Sequence, residues 1–191
     1  MIDAYKTYVL VAPQCGHGTS IDGTWDCGCT YGKYTEADLM LKITKAVNGY
    51  LRGSGIHCLT DADHGNNRNM IADVRRANNH KPQPAIYFSI HCDWYKASSG
   101  VSTLYVSKAG RKLAVEINKQ ICKRVGIKCK GVSKRPDLYE LTQTDMPAVI
   151  IECGSIKYDR KYFKHYKKYG KAIAIAVCKY LGVTFTGKYK A

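Results

Sequence analysis

The run Ala85-Ile86-Tyr87-Phe88-Ser89-Ile90-His91 is apolar at nearly every position rather than at alternate ones. A strand that faces water on one side alternates; one that does not is buried on both faces, between helical layers. Thr7 to Ala12 (TYVLVA) and Ala148 to Cys153 (AVIIEC) have the same character, and Ile56 to Thr60 and Val101 to Val106 read as shorter strands. Helical spacing fills the intervals. Thr35 before Glu36-Ala37-Asp38 is a helix start with acids in the first turn. Leu39, Ile43, Val47 and Tyr50 follow, with Met40 and Leu51 beside them, and Gly53 and Gly55 close the segment. Further helices are predicted over 68–79 (Ile71 and Val74 inward), over 113–125, and over 158–181 with a break near Gly170. This alternation predicts an α/β fold: a single three-layer domain with a mostly parallel twisted sheet flanked by helices. Residues 1–183 form that domain, and 184–191 read as a C-terminal tail or the start of a linker.

Residues 13–34, rich in Gly, Thr, Asp and Cys, read as one long loop, a length that is unusual unless the loop serves a function. The 191 residues carry a net charge of +15, which draws the chain toward polyanions: nucleic acid, anionic membrane or anionic wall polymers. Charge does not choose among them, and the dense Lys/Tyr segment KYFKHYKKYGK (161–171) reads first as a solvated helix face. No apolar stretch approaches the roughly 18 residues of a membrane span. The start Met1-Ile2-Asp3-Ala4-Tyr5-Lys6-Thr7 lacks the pattern of a secretory signal. Nine Cys, an odd number, argue against a fully paired disulfide framework. Cys27 and Cys29 stand too close for a Cys-x-x-Cys site. Cys58, Cys122 and Cys178 read as core hydrophobes, and Cys15, Cys92 and Cys153 as structural filler despite their neighbours.

Those neighbours carry the chemistry. His17 follows the first strand in Gly16-His17-Gly18, His91 ends the central strand, and Glu152 ends the last in Ile151-Glu152-Cys153-Gly154. Glu36 opens the helix after the long loop. In open α/β sheets, ligands gather at the carboxyl ends of strands, so these four can converge on one rim. Two His and a carboxylate are a donor set that a catalytic zinc uses, with one position left for water. Glu152, at the end of an apolar strand, is the remaining carboxylate, suited to moving protons.

In these motifs, their order and their spacing, the chain resembles the zinc-dependent N-acetylmuramoyl-L-alanine amidases of sporulation, wall remodelling and phage endolysins, over about residues 6–182. Ala77-Asn78, Gly100-Val101 and Pro147-Ala148-Val149 add to the likeness. The resemblance implies Zn2+ held by His17, Glu36 and His91, with Glu152 as the catalytic carboxylate. It implies hydrolysis of the amide between the lactyl group of N-acetylmuramic acid and the L-alanine of the peptidoglycan stem peptide. It further implies an endolysin-like life: made in the cytoplasm, released through a holin or by lysis, and held on anionic wall polymers by its basic surface. Three positions depart from the family pattern. Asp93 stands where Asn is frequent, Ser155 where Phe is usual, and Asp73 where Arg is common. A zinc peptidase or carboxypeptidase acting on stem peptides is the alternative that keeps the metal. A basic wall- or nucleic-acid-binding module without catalysis is the alternative that does not.

Overall fold

A computed structural model describes residues 8–20, 22–63 and 67–191. Six strands form one sheet: β1 (Leu10–Gln14), β4 (His57–Cys58), β5 (Tyr87–Asp93), β6 (Val101–Tyr105), β7 (Cys129–Lys134) and β8 (Ala148–Ser155). Their order across the sheet is β4-β1-β5-β8-β6-β7, and every neighbouring pair is parallel except β6–β8. The apolar segments β5 and β8 are its centre, as strands buried on both faces must be. The single α/β domain with a mostly parallel, helix-flanked sheet is thus the observed fold.

Helices α1 (Glu36–Gly53), α3 (Lys108–Val125) and α6 (Tyr166–Leu181) cover one face, where Phe88, Ile90 and Cys92 of β5 join Val149, Ile151 and Cys153 of β8 in the larger core. Helices α2 (Met70–Asn79) and α4 (Tyr139–Gln143) sit over the other, against Ala12, Tyr87, Ala148 and Ile150. Side chains alternate along a strand. Ser89 and His91 therefore share the face of Tyr87, and Glu152 shares the face of Ile150. His91 and Glu152 are direct partners in the β5–β8 register.

The boundaries teach several corrections. β1 runs through Gln14, two residues beyond the expected end, and Thr7 lies outside the described residues. The long loop is interrupted by a hairpin of β2 (Thr30–Tyr31) and β3 (Tyr34–Thr35). Thr35 caps α1 as expected, its hydroxyl accepting the Asp38 N–H at 3.2 Å. The buried stripe of α1 is Met40, Ile43, Val47 and Leu51, with Leu39 and Tyr50 at its edge. α3 starts at Lys108, because the Ser107 hydroxyl caps it from outside the apolar pattern. The break in the last helical segment falls at Lys164–His165, between α5 (Arg160–Phe163) and α6, and not at Gly170. Gly170 lies inside α6, where a Cβ would stand 2.6 Å from that of Ala46; its role is close packing of α6 on α1.

A candidate metal centre at the rim of the sheet

Glu36 is the hub. It is 3 % exposed, and its carboxylate accepts two backbone N–H groups, Cys29 on Oε2 and Cys92 on Oε1, both at 2.9 Å. The Cys92 N–H is free to do so because the β5–β8 register shifts between His91 and Asp93, a bulge that turns this amide out of the ladder. Two imidazoles face the same carboxylate: His17 Nε2 lies 3.4 Å from Oε2, and His91 Nδ1 lies 3.1 Å from Oε1. The predicted trio of His17, Glu36 and His91 therefore comes together, with one donor atom from each within 4.8 Å of the others.

The outward nitrogens are also held. His17 Nδ1 meets Asp26 Oδ2 at 2.9 Å, and Asp26 is steadied by the Gly28 N–H. His91 Nε2 meets Ser89 Oγ at 3.2 Å and Glu140 Oε2 at 3.5 Å, and Glu140 accepts the Tyr87 hydroxyl at 2.8 Å. With those nitrogens donating outward, each ring turns its other nitrogen to the centre, an arrangement that fixes tautomer and orientation in metal sites. Two glycines make the room. A Cβ at Gly16 would lie 2.2 Å from the His91 ring, and one at Gly28 would lie 2.7 Å from Glu36 Oε2 and 2.8 Å from the His17 ring. Both have positive φ, +77° and +66°, where a side chain is strained in any case.

The electrostatics are those of a pocket built for positive charge. Burial works to lower the pKa of His91, but Glu140 and Glu36 outweigh it and hold the pKa well above its ordinary value. His17 is raised in the same way by Glu36 against its own burial. Glu36, despite the upward push of burial, is held far below the carboxylate range by the two imidazoles. Protons or a metal ion can supply that charge. Two imidazole nitrogens and a carboxylate, with one donor atom from each within 4.8 Å of the others, are a donor set that fits a metal ion.

Glu152 is a different carboxylate. It lies beside His91 in the register, and its Oε2 is buried without a hydrogen-bond partner. Burial, with Glu36 and Asp93 adding to it, pushes its pKa up to about 7 against the opposing pull of His91.

Two kinds of residue escaped the sequence pattern. Glu140, 2 % exposed, sits on the five-residue α4, which has no helical period to reveal it. Cys29 and Cys92 lie against the centre: their amides hold Glu36, and their sulfurs are 3.9 Å apart. The Cys29 thiol and burial push the Cys92 thiol far above its usual range, and Cys29, Glu36 and Cys92 form a second group of donors within 4.8 Å of one another. Of the three departures, Asp93 pairs with Lys130 at 3.1 Å, and the backbone N–H of Ser155 donates to Asp159 at 2.9 Å. Asp73 is fully buried with neither oxygen hydrogen-bonded, and burial, with Asp61 and Glu140 nearby, raises its pKa well above the ordinary value.

Among known families, the sequence profile described as N-acetylmuramoyl-L-alanine amidase matches residues 11–182. An uncharacterized Clostridium perfringens protein, CPE1502, is 32% identical over 118 residues, 58% of this chain and 35% of its own length. A probable cell wall amidase of Staphylococcus epidermidis, LytH, is 29% identical over 153 residues, 79% of this chain and 48% of its own. The chain thus spans about a third to a half of these two relatives. In structure it is similar to the N-acetylmuramoyl-L-alanine amidase from Clostridium difficile 630 (TM-score 0.78, 24% identity, 92% of this chain and 97% of that one). It is similar also to the amidase AmiC2 of Nostoc punctiforme (TM-score 0.79, 24% identity, 91% and 97%).

Proposed function

Because the chain belongs to the N-acetylmuramoyl-L-alanine amidase family, we propose that it is a zinc-dependent peptidoglycan hydrolase, cleaving the amide between the lactyl group of N-acetylmuramic acid and the L-alanine of the stem peptide. The observation that carries this reading is the convergence of His17, Glu36 and His91 on one point, with Glu152 paired beside His91. The two imidazole nitrogens and the Glu36 carboxylate would hold the metal, and this N/O set suits zinc. Bound zinc supplies a Lewis acid for the carbonyl and lowers the pKa of its water to about 7.

The remaining work falls to the protein. Glu152 takes the proton from the attacking water and returns one to the leaving amine of L-alanine. A carboxyl poised near 7 can do both at neutral pH, where an ordinary one stays ionised. Asp26 and Glu140 keep the two imidazoles in the tautomers that face the metal. Residues 1–183 act as the catalytic domain. The segment 184–191 is a tail that lies back on α1, with the Lys190 N–H donating to Gly49 at 2.9 Å. The +15 charge holds the enzyme on anionic wall polymers, an attraction that weakens as salt rises.

The test is zinc content and wall digestion together. Wild type is expected to hold one zinc and to release intact stem peptides with a new L-alanine amino terminus, seen by mass. His91→Ala loses the zinc. Glu152→Ala keeps zinc and loses digestion. Peptides cut internally would transfer the reading to a zinc peptidase, and no release by zinc-reconstituted wild type would end it.

A further inference from the structure

Three chain segments that adjoin Glu36, His91 and Glu152 in the sequence meet on the surface. The β2–β3 hairpin, carrying Tyr31 and Tyr34, leads directly into Glu36. Lys157 and Arg160 follow the end of β8, which carries Glu152. Trp94, 52 % exposed, follows the end of β5, and the Ser155 hydroxyl donates to its carbonyl at 3.3 Å, joining the second and third segments. The Arg160 guanidinium lies over the Tyr34 ring at 4.4 Å and near Tyr31 at 5.5 Å; the Lys157 ammonium is 5.8 Å from the Tyr31 ring and 4.9 Å from that of Tyr158.

Two cations are thus gathered at half-buried positions around one aromatic ring. Neither belongs to any of the eight ion pairs among the described residues. The one acid between them in sequence, Asp159, is turned inward and fully buried, accepting from Ser99 Oγ and from the Gly100 and Ser155 N–H groups. Like charges held together without a counter-ion attract an anion. A guanidinium stacked on a ring keeps its fork of N–H donors free at the edge, the geometry that takes a carboxylate by two bonds.

We propose that Lys157 and Arg160, braced on Tyr31 and Tyr34, form a subsite for a free carboxylate of the stem peptide. This rests on the amidase reading of the metal centre. The scale agrees with it. Lys157 is five residues beyond Glu152, so its backbone lies within about 17 Å of it; a peptide carboxylate two to four residues from the scissile amide lies about 7–14 Å away. The subsite selects the peptide by charge, after the metal centre has selected the bond.

The experiment compares two soluble muropeptides that differ only in the stem carboxylates, free in one and converted to carboxamides in the other. Zinc-loaded wild type is expected to favour the free form by about tenfold in kcat/KM, chiefly through KM, the discrimination of a partly exposed charge-assisted pair. In the Lys157→Gln/Arg160→Gln protein that ratio falls to near one, and Arg160→Lys gives an intermediate ratio. Zinc content and near-ultraviolet circular dichroism establish that each variant is folded. Wild type that cleaves both muropeptides equally, or a double variant that keeps the preference, overturns the subsite and leaves the amidase reading intact. Cleavage of neither muropeptide by wild type overturns both.

Discussion

Glu36 and Glu152 both neighbour His91, and the protein treats them in opposite ways. Glu36 is surrounded by donors: two amides and two imidazoles. Glu152 has one oxygen buried with no donor at all. The first is held far below its ordinary pKa, and the second is pushed up to about 7. Desolvation acts on both and raises both; the difference is whether anything compensates it. One carboxylate is thereby made a permanent anion suited to a cation, and its neighbour is made a group that exchanges protons near neutrality. Two identical side chains reach two chemistries through their surroundings.

The comparison breaks most completely at the satisfied site. Glu36→Gln removes the charge that both imidazoles face, and is expected to lower wall-digesting activity at least about 10³-fold with loss of bound metal. Metal content after dialysis checks this; a Glu36→Gln protein that keeps stoichiometric zinc would falsify the assignment of Glu36 as the hub.

At the unsatisfied site the expected effect is on stability and has the opposite sign. Glu152 holds its proton more tightly folded than unfolded, so ionising it opposes the fold. That cost is absent below the ordinary value of 4.5, develops as pH rises toward about 7, and is complete above. Metal-free Glu152→Gln should therefore be more stable than metal-free wild type at pH 8, by on the order of 2 kcal/mol, and no more stable at pH 4. Thermal unfolding at the two pH values measures it; equal melting temperatures at pH 8 would mean that Glu152 is better solvated than its position implies.

The smallest effect sharpens the comparison. Asp93 is one of the charges that raise Glu152. Asp93→Asn should shift the limb of the pH–rate profile assigned to Glu152 downward by a few tenths of a unit, a modest change because Asp93 is already paired with Lys130. A shift upward, or none, would assign the limb to another group.

How far these features were legible in the chain depended on length and period. The central strands declare themselves by continuous hydrophobicity, and α1 by the Thr35 cap and its apolar stripe. All four predicted site residues do come together, because strand ends and a helix start are places that topology itself brings to one rim. What escaped had no such signal. β7 reads Cys-Lys-Gly-Val-Ser-Lys, an edge strand with no apolar face to show. α4 is a single turn and a half, so Glu140 arrives beneath His91 with no pattern to announce it. The backbone support of Glu36 was equally hidden, since Cys29 and Cys92 act there through amide groups that every residue possesses. Gly170 misled in the other direction. A helix-weakening residue was accepted inside α6 because the packing against Ala46 leaves no room for another.

The two amide bonds on Glu36 also bear on how the chain reaches its native state. One closes a segment of 7 residues and the other a segment of 56. The long closure is the entropically costlier of the two, and its geometry depends on the bulge in β5. The rim that Glu36 and His91 share is therefore complete only when segments far apart in the sequence have met, and the proposed chemistry depends on that long-range closure as much as on the side chains themselves.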